Sequence, residues 1–307
     1  MEHGLALPQV GALADAAAAR AVAMAADAAG WSSLWVLDRL LAPLAPRVPY
    51  PASPDGVLPP EQHVSLDPLG VLTLAAAVTE RIRVGTSVLV APWYPPVLLA
   101  RSLTTLDHIS GGRLTVGLGL GWSSDEYDAV GVSQRGLGDH AEEVLDVLDA
   151  VWTQPVVEHD GPRFRIAPST IEPKPIQRPR PPVLLAAYTP AGLERVARRA
   201  DGWMPAGLPV AAIAPMWATV RDLAAGHGRD PDQLRLVDRA NAKVTDRPLG
   251  DDRPSYWGTL EQITEDVAAT AAAGAHEVIL DLQATATTAA ELLDLAVAIT
   301  APIAAAA

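Results

Sequence analysis

Short apolar strands alternate with longer Ala- and Leu-rich helical stretches from one end of this chain to the other, and that rhythm limits the fold more than any motif does. Strand candidates lie at Gly4–Pro8, Ser33–Leu37, Ile82–Val88, Arg113–Leu120, Pro182–Ala187, Gly202–Met204, Leu234–Val244 and Glu277–Asp281. Between and after them the spacing predicts helices at Leu13–Ala29, Pro68–Thr79, Pro95–Ile109, Asp139–Trp152, Pro190–Arg199, Val210–Ala225, Leu260–Ala273 and Ala289–Ile299. Strands that are apolar throughout suit a parallel sheet covered on both faces. Strand and helix alternate without a break in composition, so one α/β domain over 1–307, a single (β/α)8 TIM barrel, is the simplest arrangement. Two segments interrupt the rhythm: proline-rich 38–67, which reads as a lid or active-site loop, and 154–181, which reads as an insertion.

Composition removes several classes of function. The formal net charge of −13 opposes binding to a nucleic-acid backbone or an anionic membrane surface, which leaves a small-molecule substrate as the expected partner. The absence of cysteine excludes disulfides, thiolate nucleophiles and iron–sulfur ligation, so redox chemistry would need a bound organic cofactor. The first residues lack a basic segment followed by an apolar core, and no apolar run reaches the roughly 20 residues that span a bilayer. A cytoplasmic protein is therefore expected. Abundant alanine and proline, and arginine in preference to lysine, point to a GC-rich bacterial genome.

The densest run is Ser110–Val132, SGGRLTVGLGLGWSSDEYDAVGV, where a buried strand passes into glycines and then a polar aromatic loop. Gly117, Gly119 and Gly121 would let something planar or anionic approach the backbone, or would simply allow tight packing. They are not a dinucleotide fingerprint, because Trp122 stands where the third glycine belongs. No Walker-type loop, GxSxG elbow or HExxH spacing occurs, and no metal site is expected. In a barrel the loops after the strands carry function, which gathers Asp38, Arg39, Ser87, Trp122, Ala187, Pro205 and the region after Lys243 around one mouth.

WVLDRLL at Trp35–Leu41, TERIRVGTSVLVAP at Thr79–Pro92, LARSLTTLDHISGGRLTVGLGLGW at Leu99–Trp122, EPKPIQRP at Glu172–Pro179 and ADGWMP at Ala200–Pro205 together resemble the luciferase-like monooxygenase superfamily. More narrowly, they resemble its actinobacterial branch of deazaflavin (coenzyme F420)-dependent oxidoreductases. The resemblance implies a barrel with the deazaflavin ring at the strand carboxyl ends, and a non-prolyl cis peptide at Ser87–Val88. It implies cofactor contacts from Asp38, Arg39, Ser87, Val88, Leu120, Gly121 and Trp122, and a phosphate held at the turn Ala186, Ala187 and Tyr188. Members are commonly dimers, which leaves a homodimer open.

This chain departs from the resemblance at two positions. Several deazaflavin dehydrogenases have histidine after the aspartate, whereas Arg39 stays protonated and is a poor base. It would either pair with the anionic cofactor, its tail or an acidic substrate, or form a structural salt bridge with Asp38 or a nearby loop carboxylate. Trp122 stands where a relative has glutamate, and reads as a pocket wall. Candidate proton donors are then Tyr94 and His63, with Arg39 in an electrostatic role; each loop side chain has an ordinary surface reading beside it. Substrate contacts are expected from Trp122, Tyr127, Trp203 and Asn241, although Trp203 also reads as core.

Hydride transfer between a deazaflavin and a small organic substrate, with reduction of an activated double bond, is the expected chemistry. An FMN-dependent monooxygenase needing a partner reductase and a non-catalytic flavin-binding protein are the alternatives.

Overall fold

The computed structural model describes residues 1–53 and 55–306; position 54, inside the 38–67 segment, and position 307 lie outside the described residues. Among the described residues eight parallel strands close on themselves: β1 (Glu2–Ala6), β2 (Ser33–Val36), β3 (Arg83–Thr86), β4 (Leu114–Gly119), β5 (Val183–Leu185), β6 (Gly202–Trp203), β7 (Arg235–Asn241) and β8 (Glu277–Asp281). Closure comes from β8 pairing with β1, with Gly4 opposite Ile279, and every other neighbour pair follows in chain order. Each strand is followed by its helix: α1 (Ala16–Ala29), α2 (Pro68–Ala77), α3 (Pro96–Ser110), α4 (Leu137–Thr153), α5 (Pro190–Arg199), α6 (Val210–Gly226), α7 (Leu260–Ala272) and α8 (Ala289–Ala306). This is the (β/α)8 barrel that the alternation predicts.

Local chemistry explains the boundaries. Asp15 caps α1 by accepting from Ala18 N–H at 2.8 Å, Asp67 caps α2 through Gly70 N–H at 2.6 Å, and Thr259 forms a capping box with Gln262 at the start of α7. Gly30 and Gly111 end α1 and α3 in the left-handed conformation. The predicted strand Ile82–Val88 is shorter than expected: it stops at Thr86, passes through a cis Ser87–Val88 peptide bond and resumes as the two-residue strand Leu89–Val90 beside β4. The predicted strand Leu234–Val244 divides after Asn241. Ala242 N–H still bonds to Asp281 O in the barrel, while Lys243 N–H turns away to Tyr256 O. Segment 154–181 contains an antiparallel hairpin, Val157–Asp160 with Arg165–Ser169, and a short helix at Ser124–Ala129 follows β4.

Two cores lie on either side of the sheet. Leucine, valine and alanine from strands and helices fill the outer layer, whereas Trp35, Leu184, Met204, Val237 and Ile279 fill the barrel interior. Trp35 takes its place because the strands on either side of β2 carry glycine: a Cβ at Gly4 would stand 2.7 Å from its Nε1, and one at Gly85 would collide with its ring. At the amino-terminal end of the barrel, Arg83 bonds to Glu2 at 2.6 Å and to buried Glu277 at 2.7 Å, and Arg235 shares both carboxylates. Trp35 Nε1 donates to Glu277 at 3.0 Å, which ties this ring of charges to the interior.

Candidate active site

The carboxyl ends of the strands surround a cavity of about 670 Å³, within the range of small-molecule and cofactor pockets. Asp38, Arg39, Ser87, Val88, Leu120, Gly121, Trp122, Ala186, Ala187, Tyr188 and Asn241, all expected at the mouth, line it. A second cavity of about 370 Å³ adjoins it and shares Pro51, Ala52, Gly207, Leu208 and Asn241.

The floor is built where β4 meets the interrupted end of β3. The Ser87 carbonyl accepts from Arg239 Nη1 at 3.1 Å, and Arg239, almost fully buried on β7, also donates to Asn241 Oδ1 at 3.0 Å and pairs with Asp281. The glycines of β4 have a more specific reason than room for a ligand. A Cβ at Gly117 would collide with Thr86 O, one at Gly119 would lie 2.7 Å from Val88 Cγ2, and one at Gly121 2.9 Å from Val90 Cγ1. Their side-chain space is taken by the neighbouring strand. The reading that Gly121 is trimmed for a cofactor ring is corrected accordingly: it lets β4 approach the Val88–Val90 segment, and its φ of +62° favours glycine independently.

Asp38 follows β2 and leans onto the same segment. Its Oδ2 accepts from Val90 N–H at 3.0 Å and from the Tyr94 hydroxyl at 2.9 Å, while Oδ1 is buried without a partner. Burial pushes the carboxyl up to about 6 against the pull of those two hydrogen bonds. Burial and the Asp38 charge push the Tyr94 phenol well above its ordinary range, so it holds its proton at neutral pH. Tyr94 touches Asp38 rather than lining the cavity, which corrects the expectation that it faces a ligand directly.

Arg39 has the structural partner that one of its readings anticipated, and the carboxylate is Glu126 rather than Asp38. Nη1 lies 2.8 Å from Glu126 Oε2, with the two side chains 7% and 2% exposed, and Nη2 donates to Gln62 at 3.0 Å. Glu126 also accepts from Leu40 N–H at 2.9 Å and so fixes the start of the long loop. The guanidinium sits 5.4 Å from the Trp122 ring centre, and Tyr50 meets the same ring edge-on at 5.3 Å.

The turn after β5, the strand next to β4, leads into α5. Thr189 caps the helix through Gly192 N–H at 3.2 Å, and Arg195 projects from its second turn to the cavity wall. A helix amino terminus with an arginine beside it is an anion cradle. Trp203 supports this turn: it is fully buried and donates from Nε1 to Ala187 O at 2.9 Å. Tyr127 is likewise buried, donating to Leu120 O and packing edge-on against Trp93 at 5.9 Å. Neither lines the cavity, so their expected substrate contacts are replaced by roles in holding its wall. His63 is exposed at the end of a 3-10 turn and is not part of the lining.

Arg195, Thr189, Arg239, Gln62, Tyr50 and Trp93 line the cavity and were not singled out from sequence. Two of them carried a signal. Thr189-Pro190-Ala191-Gly192 is a helix start with an arginine one turn further on, and Arg239 follows Asp238 as a charged pair inside a predicted barrel strand. Gln62, Tyr50 and Trp93 join only because the loops fold back over the mouth.

The chain belongs to the luciferase-like monooxygenase family, whose profile matches residues 2–248. An uncharacterized protein of Mycobacterium tuberculosis is 36% identical over 212 residues, 68% of this chain and 74% of that protein. The FMNH2-dependent dimethylsulfone monooxygenase of Pseudomonas putida is 31% identical over 155 residues, 50% of this chain and 42% of that protein. The coenzyme F420-dependent tetrahydromethanopterin reductase of Methanopyrus kandleri shares the fold, with a TM-score of 0.73 at 16% identity over 97% of each chain. No helix among the described residues is long and apolar enough to cross a membrane.

Proposed function

We propose that this chain is an oxidoreductase that moves a hydride between a deazaflavin, coenzyme F420, and a small organic substrate, reducing an activated double bond. The observation that carries the reading is a single cavity lined by two different surfaces. One is an anion cradle, Thr189, Gly192 and Arg195, and the other a wall of Trp93, Trp122 and Tyr50 beside Asp38. A ring with a phosphate-bearing side chain has that shape. The polar atoms fit such a ring as well: Asp38 Oδ1, Arg39 Nε and Trp93 Nε1 belong to lining residues and are buried with no partner.

When bound, the deazaflavin supplies the two-electron chemistry that these side chains lack. Arg195 and the first turn of α5 would hold its phosphate, and the Ser87–Val90 segment with Leu120 and Trp122 would bound its ring. Asp38 carries a proton in reach of the cavity wall only below about pH 6, and Tyr94 positions that carboxyl by donating to Oδ2. Arg39, engaged by Glu126 and Gln62, takes no part as a base.

Fluorescence titration of the purified protein with coenzyme F420 and with FMN tests the reading. Tight deazaflavin binding is expected, followed by oxidation of the reduced cofactor when a cyclic enone is added. Tight FMN binding with no measurable affinity for the deazaflavin overturns it in favour of an FMN-dependent monooxygenase, the reading that the Pseudomonas putida relative supports.

A further inference from the structure

The charges on the cavity wall are distributed unevenly. Arg39, Glu126, Arg239, Arg195 and Asp38 are its charged lining residues. Arg39 is matched by Glu126 at 2.8 Å, and Arg239 is matched by Asp281. Both pairs are almost wholly buried, so each cation spends its field on its own partner. Arg195 differs. Its partner Glu142, 2.9 Å away, is shared with Arg198 at 2.7 Å and with Arg199 at 3.0 Å, the latter also paired with Asp146 at 2.8 Å, so Arg195 competes for its carboxylate near the amino-terminal turn of α5. Anion attraction is therefore confined to the α5 end. Elsewhere on the wall the charged residue without an ion pair is Asp38, which accepts from Val90 N–H and Tyr94 and is neutral below about pH 6.

We propose that the substrate of this site is an uncharged, flat molecule, and that Glu126 is the specificity-determining residue that enforces this by cancelling Arg39. The wall around that pair is flat and largely apolar: Trp122 carries the Arg39 guanidinium on its face and Tyr50 on its edge, and Trp93 and Leu208 continue it. An anionic substrate would be desolvated here without a free cation, beside a carboxylate that repels it. The proposal rests on the cofactor reading: with the phosphate at the α5 turn and the ring against the Ser87–Val90 segment, Leu120 and Trp122, the substrate would meet the ring beside the Arg39–Glu126 pair.

Quenching of tryptophan fluorescence, to which the wall residues Trp93 and Trp122 contribute, reports occupancy with or without cofactor. The probes are cyclohexenone, the same ring bearing a carboxylate, and the same ring bearing an ammonium group. Below about pH 6, where Asp38 is protonated, wild-type protein should bind the neutral ring about tenfold or more tighter than either charged ring, the scale set by one uncompensated charge in a partly desolvated site. Glu126→Gln should shift preference about tenfold toward the carboxylate, and Arg39→Met should shift it toward the ammonium ring. The double variant carries neither charge and should restore the neutral preference. It also keeps the proposal falsifiable if either single variant, with its buried charge unpaired, fails to fold. Tighter binding of either charged ring by the wild type, or a carboxylate preference in the double variant, overturns the proposal. If neither coenzyme F420 nor FMN binds while the probes keep the predicted order, the cofactor reading falls and the charge rule stands. If a cofactor binds and a charged ring wins, the charge rule falls alone.

Discussion

Asp38 and Gly121 show how single residues answer to the space around them. An Asp38 carboxyl raised to about 6 is protonated in the folded state over a window in which the unfolded chain, near its ordinary value of 3.8, has already released its proton. Below that window both states are protonated and the group is neutral in its effect. As pH climbs from about 4 to 6 the folded state loses stability, and above 6 the whole cost, on the order of 3 kcal/mol, stands. Asp38→Asn should therefore be more stable than wild type at pH 7.5 and no more stable at pH 4, compared by urea denaturation. Asp238, raised to about 7 by complete burial, titrates in an overlapping range in both proteins and cancels in the comparison. Equal differences at the two pH values would show that Asp38 ionises normally. Gly121→Val should cost about 2 kcal/mol, because a left-handed backbone disfavours a branched side chain and its Cβ would press on Val90. Cofactor affinity should fall with it, and an unchanged Tm would refute the packing role. The importance of this glycine was legible in sequence, but its reason was not, since Val90 lies far along the chain and meets it only through the close approach of β3 and β4.

The helix α5 carries the sharpest prediction at the level of elements. If its first turn and Arg195 hold a phosphate, Arg195→Met should weaken a phosphate-bearing cofactor about tenfold, the scale of one charge-assisted contact, and leave the phosphate-free ring system unaffected. Parallel fluorescence titrations with the two forms measure this, and equal losses for both would move the phosphate elsewhere. The boundaries of this helix, Pro190–Arg199, and of β8, Glu277–Asp281, were readable from the chain alone, because a threonine cap with proline behind it and an unbroken apolar run are local signals. The end of β3 and the hairpin inside 154–181 were harder. For the first, the resemblance placed the cis Ser87–Val88 peptide, but the apolar pattern ran the strand on to Val88 whereas it stops at Thr86. The hairpin alternates weakly and is fixed from outside, with Glu143 of α4 accepting from Arg163 N–H and Phe164 N–H at 2.9 Å each.

Across the whole molecule, stability and function occupy opposite ends of the barrel. The ring of Glu2, Arg83, Arg235 and Glu277 closes the amino-terminal end, away from the cavity. Glu277→Ala leaves two arginines without a buried carboxylate and should cost about 3 kcal/mol, seen as a lower Tm, with cofactor affinity unchanged in protein that remains folded. A matching loss of affinity would mean that the two ends are coupled through Trp35 and the interior. The division between what was legible and what was not follows the same geometry. The amino-acid sequence alone determined the eightfold alternation and the mouth to which the strand ends lead, because periodicity, caps and strand order act over short stretches of chain, and the family resemblance named part of the wall. Tertiary structure decided which charge meets which: Arg39 with Glu126, Tyr94 with Asp38, Arg239 with Asp281, and Arg195 at the wall. Those partners lie tens of residues apart on different strands or loops, and only closure of the barrel brings them within a hydrogen bond of each other.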